Sequence, residues 1–278
     1  MELNWLQSIL LGLVSGLADI LPVSAQAHRL VILKLFGQNS EPVLLRLIIH
    51  VCMLAALYYS CRGQIIRLTR AQKQVKIPKR RRKRPLDTRS LTDFSLLKTT
   101  LIPIILAFIF YRKTSTLESN LILVSVFLFL NGAIMYIPQF LPGANKDSGN
   151  VSRVEGLLLG LGGAASTVPG ISCIGAASSI GSVCGMDKTY TLNMALLMNI
   201  PVLIGFTVFD VVAFAETGIA GLTFTAFFGF LLAGGAAFLG VLLGLNLLRR
   251  IVSAIGFPVF AFYSWGAALF TFILSLTI

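Results

Sequence analysis

The chain has 278 residues, of which 56% are hydrophobic and only 12% charged, with a mean hydropathy of +0.85. A soluble domain carries roughly a quarter charged residues, so soluble classes are excluded and a polytopic membrane protein is expected. The formal net charge of +12 is concentrated rather than spread: 12 of the 23 Lys and Arg lie between Arg62 and Arg89, most densely from Lys79 to Arg84. A basic loop beside a membrane span acts as a topology marker and attracts anionic lipid head groups. It has no room for a recognition fold, which excludes nucleic acid as a partner.

In chain order, Met1-Glu2-Leu3-Asn4-Trp5 lacks the basic n-region of a cleaved signal peptide and is expected to belong to the mature chain. Residues 5–36 follow as an apolar region broken in its middle. Spans are predicted at 43–61, 96–111 and 120–138, the second starting before Leu96. The basic loop 62–95 separates the first two, and its charge density predicts disorder. A second broken region covers 155–185, followed by spans at 191–213, 219–247 and 254–276. A span needs roughly 20 residues, and each arm of a broken region is too short. The arms suit re-entrant helical hairpins that turn inside the membrane.

The fold class expected is therefore all-α: one membrane domain over 1–278, in two repeats of one hairpin plus three spans. Repeat one covers 1–138 and repeat two 155–278. Three spans carry the chain across, so the second hairpin enters from the opposite face and the repeat is inverted. With loop 62–95 in the cytoplasm, Lys146, Arg153, Lys188, Arg249 and Arg250 also fall inside. Both termini and the first hairpin then lie outside.

The two breaks share a phrase. Gly12 precedes Ser24 by twelve residues, as Gly160 precedes Ser172, and Pro22 and Pro169 fall just ahead of each serine. Gly/Pro-interrupted apolar segments at matching places in two halves point to a site between repeats. The exposed N–H groups at a helix N-terminus favour an anion such as phosphate, and Ser24 and Ser172 stand where N-caps belong. Around the first break lie Ser15, Asp19, Ser24, Gln26, His28 and Arg29. Intramembrane Asp and His read as functional, and Ser24 and His28 at i and i+4 share a face. His28 and Arg29 could instead lie at the membrane surface, and Asp19 could simply satisfy loose backbone. The second break offers Ser166, Thr167, Ser172, Cys173, Ser178 and Ser179 among glycines, where small-residue packing is an equal reading. The four cysteines read as small buried hydrophobes.

At these residues the chain resembles the undecaprenyl-pyrophosphate phosphatase family, the bacitracin-resistance integral membrane proteins. The family's first motif, G-(I/V)-(V)-E-G-x-T-E-F-L-P-(V/I)-S-S-T-G-H, is matched by Gly12 to His28. Its second, P-G-x-S-R-S-G-A-T, is matched by Pro169 to Ala177. The likeness continues through His50, Pro103, Asn199-Ile200-Pro201 and Phe260 to Gly266. It implies the same inverted fold and action on a polyprenyl phosphate or pyrophosphate carrier in a bacterial inner membrane. The departures stand in the charged letters: Ser15 for the first acid, Asp19 for the second, Ala25 for a serine and Cys173 for the motif arginine.

The resemblance marks His28 and Asp19 as catalytic candidates. Ser24, Gln26, Gly170, Ser172 and Gly175 are phosphate-binding candidates, and Asp19 is the candidate ligand of a Mg or Ca ion. A homodimer is left open. Losing the arginine and one carboxylate removes charge neutralisation on the transferring oxygens. The expected function is a degenerate member that binds and moves or senses the lipid phosphate; the alternative is an active undecaprenyl-diphosphatase of cell-wall lipid recycling.

Overall fold

The computed structural model describes residues 3–38, 40–81, 85–143, 145–218 and 222–277. Its order is α1 (Trp5–Ile20), α2 (Ala25–Leu35), α3 (Val43–Val75), α4 (Thr88–Ile109), a short α5 (Tyr111–Thr114), α6 (Leu121–Tyr136), α7 (Arg153–Ala165), α8 (Cys173–Val183), α9 (Lys188–Thr217), α10 (Phe224–Ala254) and α11 (Pro258–Thr277). Six of the helical segments are long and apolar enough to cross a membrane, those built on α3, α4, α6, α9, α10 and α11. Together they make this an all-helical, multi-pass membrane protein.

The two broken regions fold as helix pairs, α1–α2 and α7–α8. Both open on the same device. Asn4 caps α1 in a reciprocal capping box with Gln7, and Ser152 caps α7 in one with Glu155. Both second arms are 11 residues long, Ala25–Leu35 and Cys173–Val183. Caps, glycines and break serines all recur at one offset of 148 residues.

Packing register gives each pair a direction. Along α1, Gly12 lies against Ala233 and Gly16 against Ala237 of α10, so these two helices run parallel. Along α7, Gly156 meets Leu96 and Gly160 meets Thr100 and Pro103 of α4, again parallel. Helix α4 starts at the basic loop, whereas α10 starts from the opposite end of the bundle, where Arg112 pairs with Glu216. The two helix pairs thus enter from opposite ends, and exchanging the halves exchanges α1·α10 for α7·α4.

The shared glycine has a steric cause. A Cβ on Gly12 would lie 2.0 Å from the Ala233 carbonyl oxygen, and one on Gly160 2.6 Å from the Thr100 carbonyl oxygen. Both first arms pack backbone against backbone, which small residues alone allow.

The basic loop differs from its expected disorder. Helix α3 continues through Arg62, Arg67 and Arg70 to Val75, and Asp87 caps α4 through the Ser90 N–H. Straight-chain Arg, Lys and Gln are good helix formers, and Arg67 is tied to the buried Asp93, which also accepts from the Tyr190 hydroxyl. Arg82, Lys83 and Arg84, the end of the densest basic run, lie outside the described residues.

Candidate functional site

The two breaks meet in the middle of the bundle. The Ser24 hydroxyl accepts the Gly170 N–H at 3.1 Å, linking tip to tip directly. Asn131 of α6 links them a second time: its amide nitrogen donates to the Pro22 carbonyl at 3.1 Å, and its oxygen accepts the Ser172 N–H at 2.9 Å. Backbone groups freed by the breaks are thereby satisfied inside protein. Ser24 sits at φ 69°, the one non-glycine residue with positive φ among those described. Such a conformation costs on the order of 1–3 kcal/mol and persists where surroundings over-determine it, typically at functional sites.

The serines divide their tasks. Ser172 caps α8 by accepting the Gly175 N–H, as expected. Ser24 does not cap α2, because its hydroxyl is committed to Gly170. The first turn of α2 is therefore left without a side-chain cap, its N–H donors turned toward the junction. Gly170 and Gly175 both have their N–H groups engaged within protein, and neither lines the polar cavity described next.

That cavity, about 20 Å³, lies beside the junction and is lined by Asp19, Ser24, Gln26, Arg29, Ser172 and Asn199, with His50 and Cys173 at its wall. Asp19 accepts from the Asn199 amide at 2.8 Å. Several buried atoms around it make no hydrogen bond within the protein: both polar atoms of Gln26, Oδ1 of Asn199 and Nε of Arg29. Buried polar atoms are normally paired, and a cluster of orphans calls for a water, ion or ligand. Ser15 is buried away from the cavity, its hydroxyl returned to the Leu11 carbonyl at 2.6 Å.

His28 is elsewhere. Its ring projects to the other side of α2, with Nδ1 2.8 Å from the Ser24 carbonyl and Nε2 2.9 Å from the Tyr263 hydroxyl, stacked on that ring. It lines an apolar cavity of about 450 Å³ with Ala27, Leu128, Tyr263 and Phe270. Ser24 and His28 do share a helical side, but the contact there is with the serine backbone. The structure brings Asp19, Ser24, Gln26 and Ser172 together and leaves His28, Gly170 and Gly175 out of the polar cavity.

The charged groups nearest the site are Arg29, already named in the polar cluster at the first break, and residues to which the sequence alone assigned no role. Arg29, 4% exposed, lies within 3.1 Å of His50 through Nη1 and 3.4 Å of Glu41 through Nε. His50 in turn meets Asp210 at 2.5 Å, and Arg46 donates to the same carboxylate at 2.6 Å. Intramembrane charges carry their own signal. Arg46 and His50, at i and i+4, were findable on that ground, as was Asp210 within the predicted span 191–213. Asn131 is the corresponding polar residue of 120–138.

A divalent cation is the cofactor the resemblance implies. Among the described residues no group of three or more His, Cys, Asp and Glu side chains is arranged to hold a metal ion. The oxygens present are one carboxylate, Asp19, and the orphaned Asn199 and Gln26 carbonyls. That set does not fit an ion like Mg²⁺ as the site stands, because such an ion keeps several waters and a cavity of about 20 Å³ holds about one.

Compared with known proteins, the chain matches the family model described as Bacitracin resistance protein BacA over residues 8–270. An Undecaprenyl-diphosphatase of Methanobrevibacter smithii is 28% identical over 285 residues, covering 98% of each chain. One of Thermosipho africanus is 27% identical over 269 residues, covering 95% of this chain and 98% of its own. Another, of a Nocardioides species, is 29% identical over 208 residues, or 74% of each.

Proposed function

The chain belongs to the bacitracin resistance protein BacA family, and on that premise we propose that it receives the phosphate head group of a polyprenyl phosphate or pyrophosphate where its two hairpin tips meet. We further propose that it binds and moves or senses this carrier without hydrolysing it efficiently. The observation that carries the second half is the placing of His28, held between the Ser24 carbonyl and Tyr263 in an apolar cavity. A general base or nucleophile must stand within hydrogen-bond reach of the reacting atoms, and the polar cavity lies on the other side of α2.

The motif departures point the same way. Ser15 turns its hydroxyl back on its own helix, and Cys173 supplies no cation at the cavity wall. Each lost electrostatic partner costs on the order of 10²–10³ in rate. In this reading the basic loop lies in the cytoplasm against the anionic head groups of a bacterial inner membrane, and the first hairpin enters from outside.

A working undecaprenyl-diphosphatase is the second reading, favoured by relatives so named whose likeness covers 98% of the chain. Purified protein in detergent, given undecaprenyl pyrophosphate with Mg²⁺ or Ca²⁺, separates the two. The expected result is lipid binding with no more phosphate release than from His28→Ala. Metal-dependent release that the variant loses would overturn the binding reading in favour of the enzyme.

A further inference from the structure

Resting on the lipid-phosphate reading just given, we infer that Arg29 is the cation that receives the phosphate, from the side of an outer vestibule, and that Asp210 aims it through His50. The hydrogen bonds fix the direction of this relay. Arg29 can only donate, so His50 accepts at Nε2 and must carry its proton on Nδ1. That proton is donated to Asp210, whose other oxygen accepts from Arg46 Nε. Three helices, α2, α3 and α9, are tied together for the orientation of one guanidinium. Such partners set the tautomer and direction of the group that acts.

Arg29 is paired but not satisfied. Its Nε lies 3.4 Å from a Glu41 oxygen, yet makes no hydrogen bond. Gln26, 9% exposed, has neither amide atom engaged. Gln26 and Arg29 are also the two residues that line both the 20 Å³ cavity and a second one of about 270 Å³. The inner cavity holds about one water, too little for a phosphate group. The larger one is lined by Lys34, Glu41, Arg46 and Glu118 besides the shared pair. Glu41 and Glu118 flank the loop that follows the first hairpin and the turn that follows α5, which lie at the end of the bundle opposite the basic loop. A phosphate entering there reaches Arg29 and Gln26 at the inner wall. It displaces Glu41 and completes the guanidinium's hydrogen bonds as a charge-assisted, potentially bidentate pair.

This exchange makes an unusual expectation: removing an acidic residue tightens binding and removing the arginine weakens it. The probe is undecaprenyl phosphate titrated onto the full chain in lipid nanodiscs, with undecaprenol, which lacks the phosphate, as control. Arg29→Gln is expected to weaken phosphate-dependent binding about 10- to 100-fold, the span of a lost charge-assisted hydrogen bond. Arg29→Lys, which keeps the charge without the fork, is expected to recover part of it. Glu41→Gln is expected to tighten binding several-fold. Asp210→Asn is expected to weaken binding in the native background and to add nothing in Arg29→Gln, whereas general damage to the fold would add in both.

Native protein that binds undecaprenyl phosphate while Arg29→Gln binds it equally well overturns this inference and leaves the head-group reading standing. Weaker binding by Glu41→Gln does the same and needs no arginine variant to fold. Native protein that binds the phosphate and the alcohol alike overturns both.

Discussion

The two hairpins perform one mechanical task with very different chemistry. The first carries Asp19, Gln26, His28 and Arg29 through eleven residues around its break, while the second carries only hydroxyls, a thiol and glycines. Yet caps, glycines and break serines stand at one offset in both, and each first arm lies parallel to a long helix of the other half. The repeated residues are those that shape backbone: a capping box, a glycine for close approach, a break and an 11-residue second arm. The unrepeated ones are the ionisable and amide side chains gathered on the first hairpin, against which the second tip packs.

That comparison is tested most severely where the halves are alike. Gly12→Leu and Gly160→Leu should be comparably damaging, because each drives a side chain into a facing backbone carbonyl less than 3 Å away. A loss of about 3 kcal/mol or more is expected for either, read as the melting temperature in detergent. Equal tolerance of leucine at one of the two positions would break the equivalence.

The link between the tips comes next. Asn131→Leu strips the partners of the buried Pro22 carbonyl and Ser172 N–H together. Each stranded group costs roughly 1–3 kcal/mol, so the variant should melt well below the native protein while keeping its helix content by circular dichroism. A variant as stable as native protein would show that the tips do not depend on this bridge.

The break serines should then part company. Ser172→Ala removes an ordinary N-cap, worth about 1 kcal/mol, and should not respond to glycine differently from other caps. Ser24→Ala strands the Gly170 N–H and keeps the positive φ, whereas Ser24→Gly strands the same N–H but relieves the strain. Glycine at 24 should therefore be the more stable of the two by about 1 kcal/mol. Chemical denaturation of the four variants checks this, and alanine equal to glycine at 24 would remove strain from the account.

Much of the architecture was legible because membrane folds are constrained by length. Six long apolar stretches and two broken ones left few ways to thread the bilayer, and the structure has six helices long and apolar enough to span, with a helix pair at each broken region. The basic loop misled because charge density predicts solvent exposure, not disorder, and Arg-rich sequence propagates α3 from the apolar stretch 43–61 on to Val75. The site was half legible. Asp19, Ser24, Gln26 and Ser172 are local to the breaks and could be read from the motif. For His28 the i, i+4 rule sets the side of the helix, not which cavity that side faces; Tyr263, 235 residues away, decides it. Arg29 stayed open between the polar cluster at the break and the membrane surface, because its network with Glu41, His50 and Asp210 joins separate segments that only the fold assembles.

The central claim is that the hairpin junction is a head-group site. An experimental structure of the full chain with undecaprenyl phosphate bound in a nanodisc tests it most directly. The account expects the phosphate within hydrogen-bond distance of Arg29 and Gln26, with the prenyl chain leaving toward lipid. A phosphate seated against the basic loop, or beside His28 and Tyr263 with Arg29 still paired to Glu41, would contradict it.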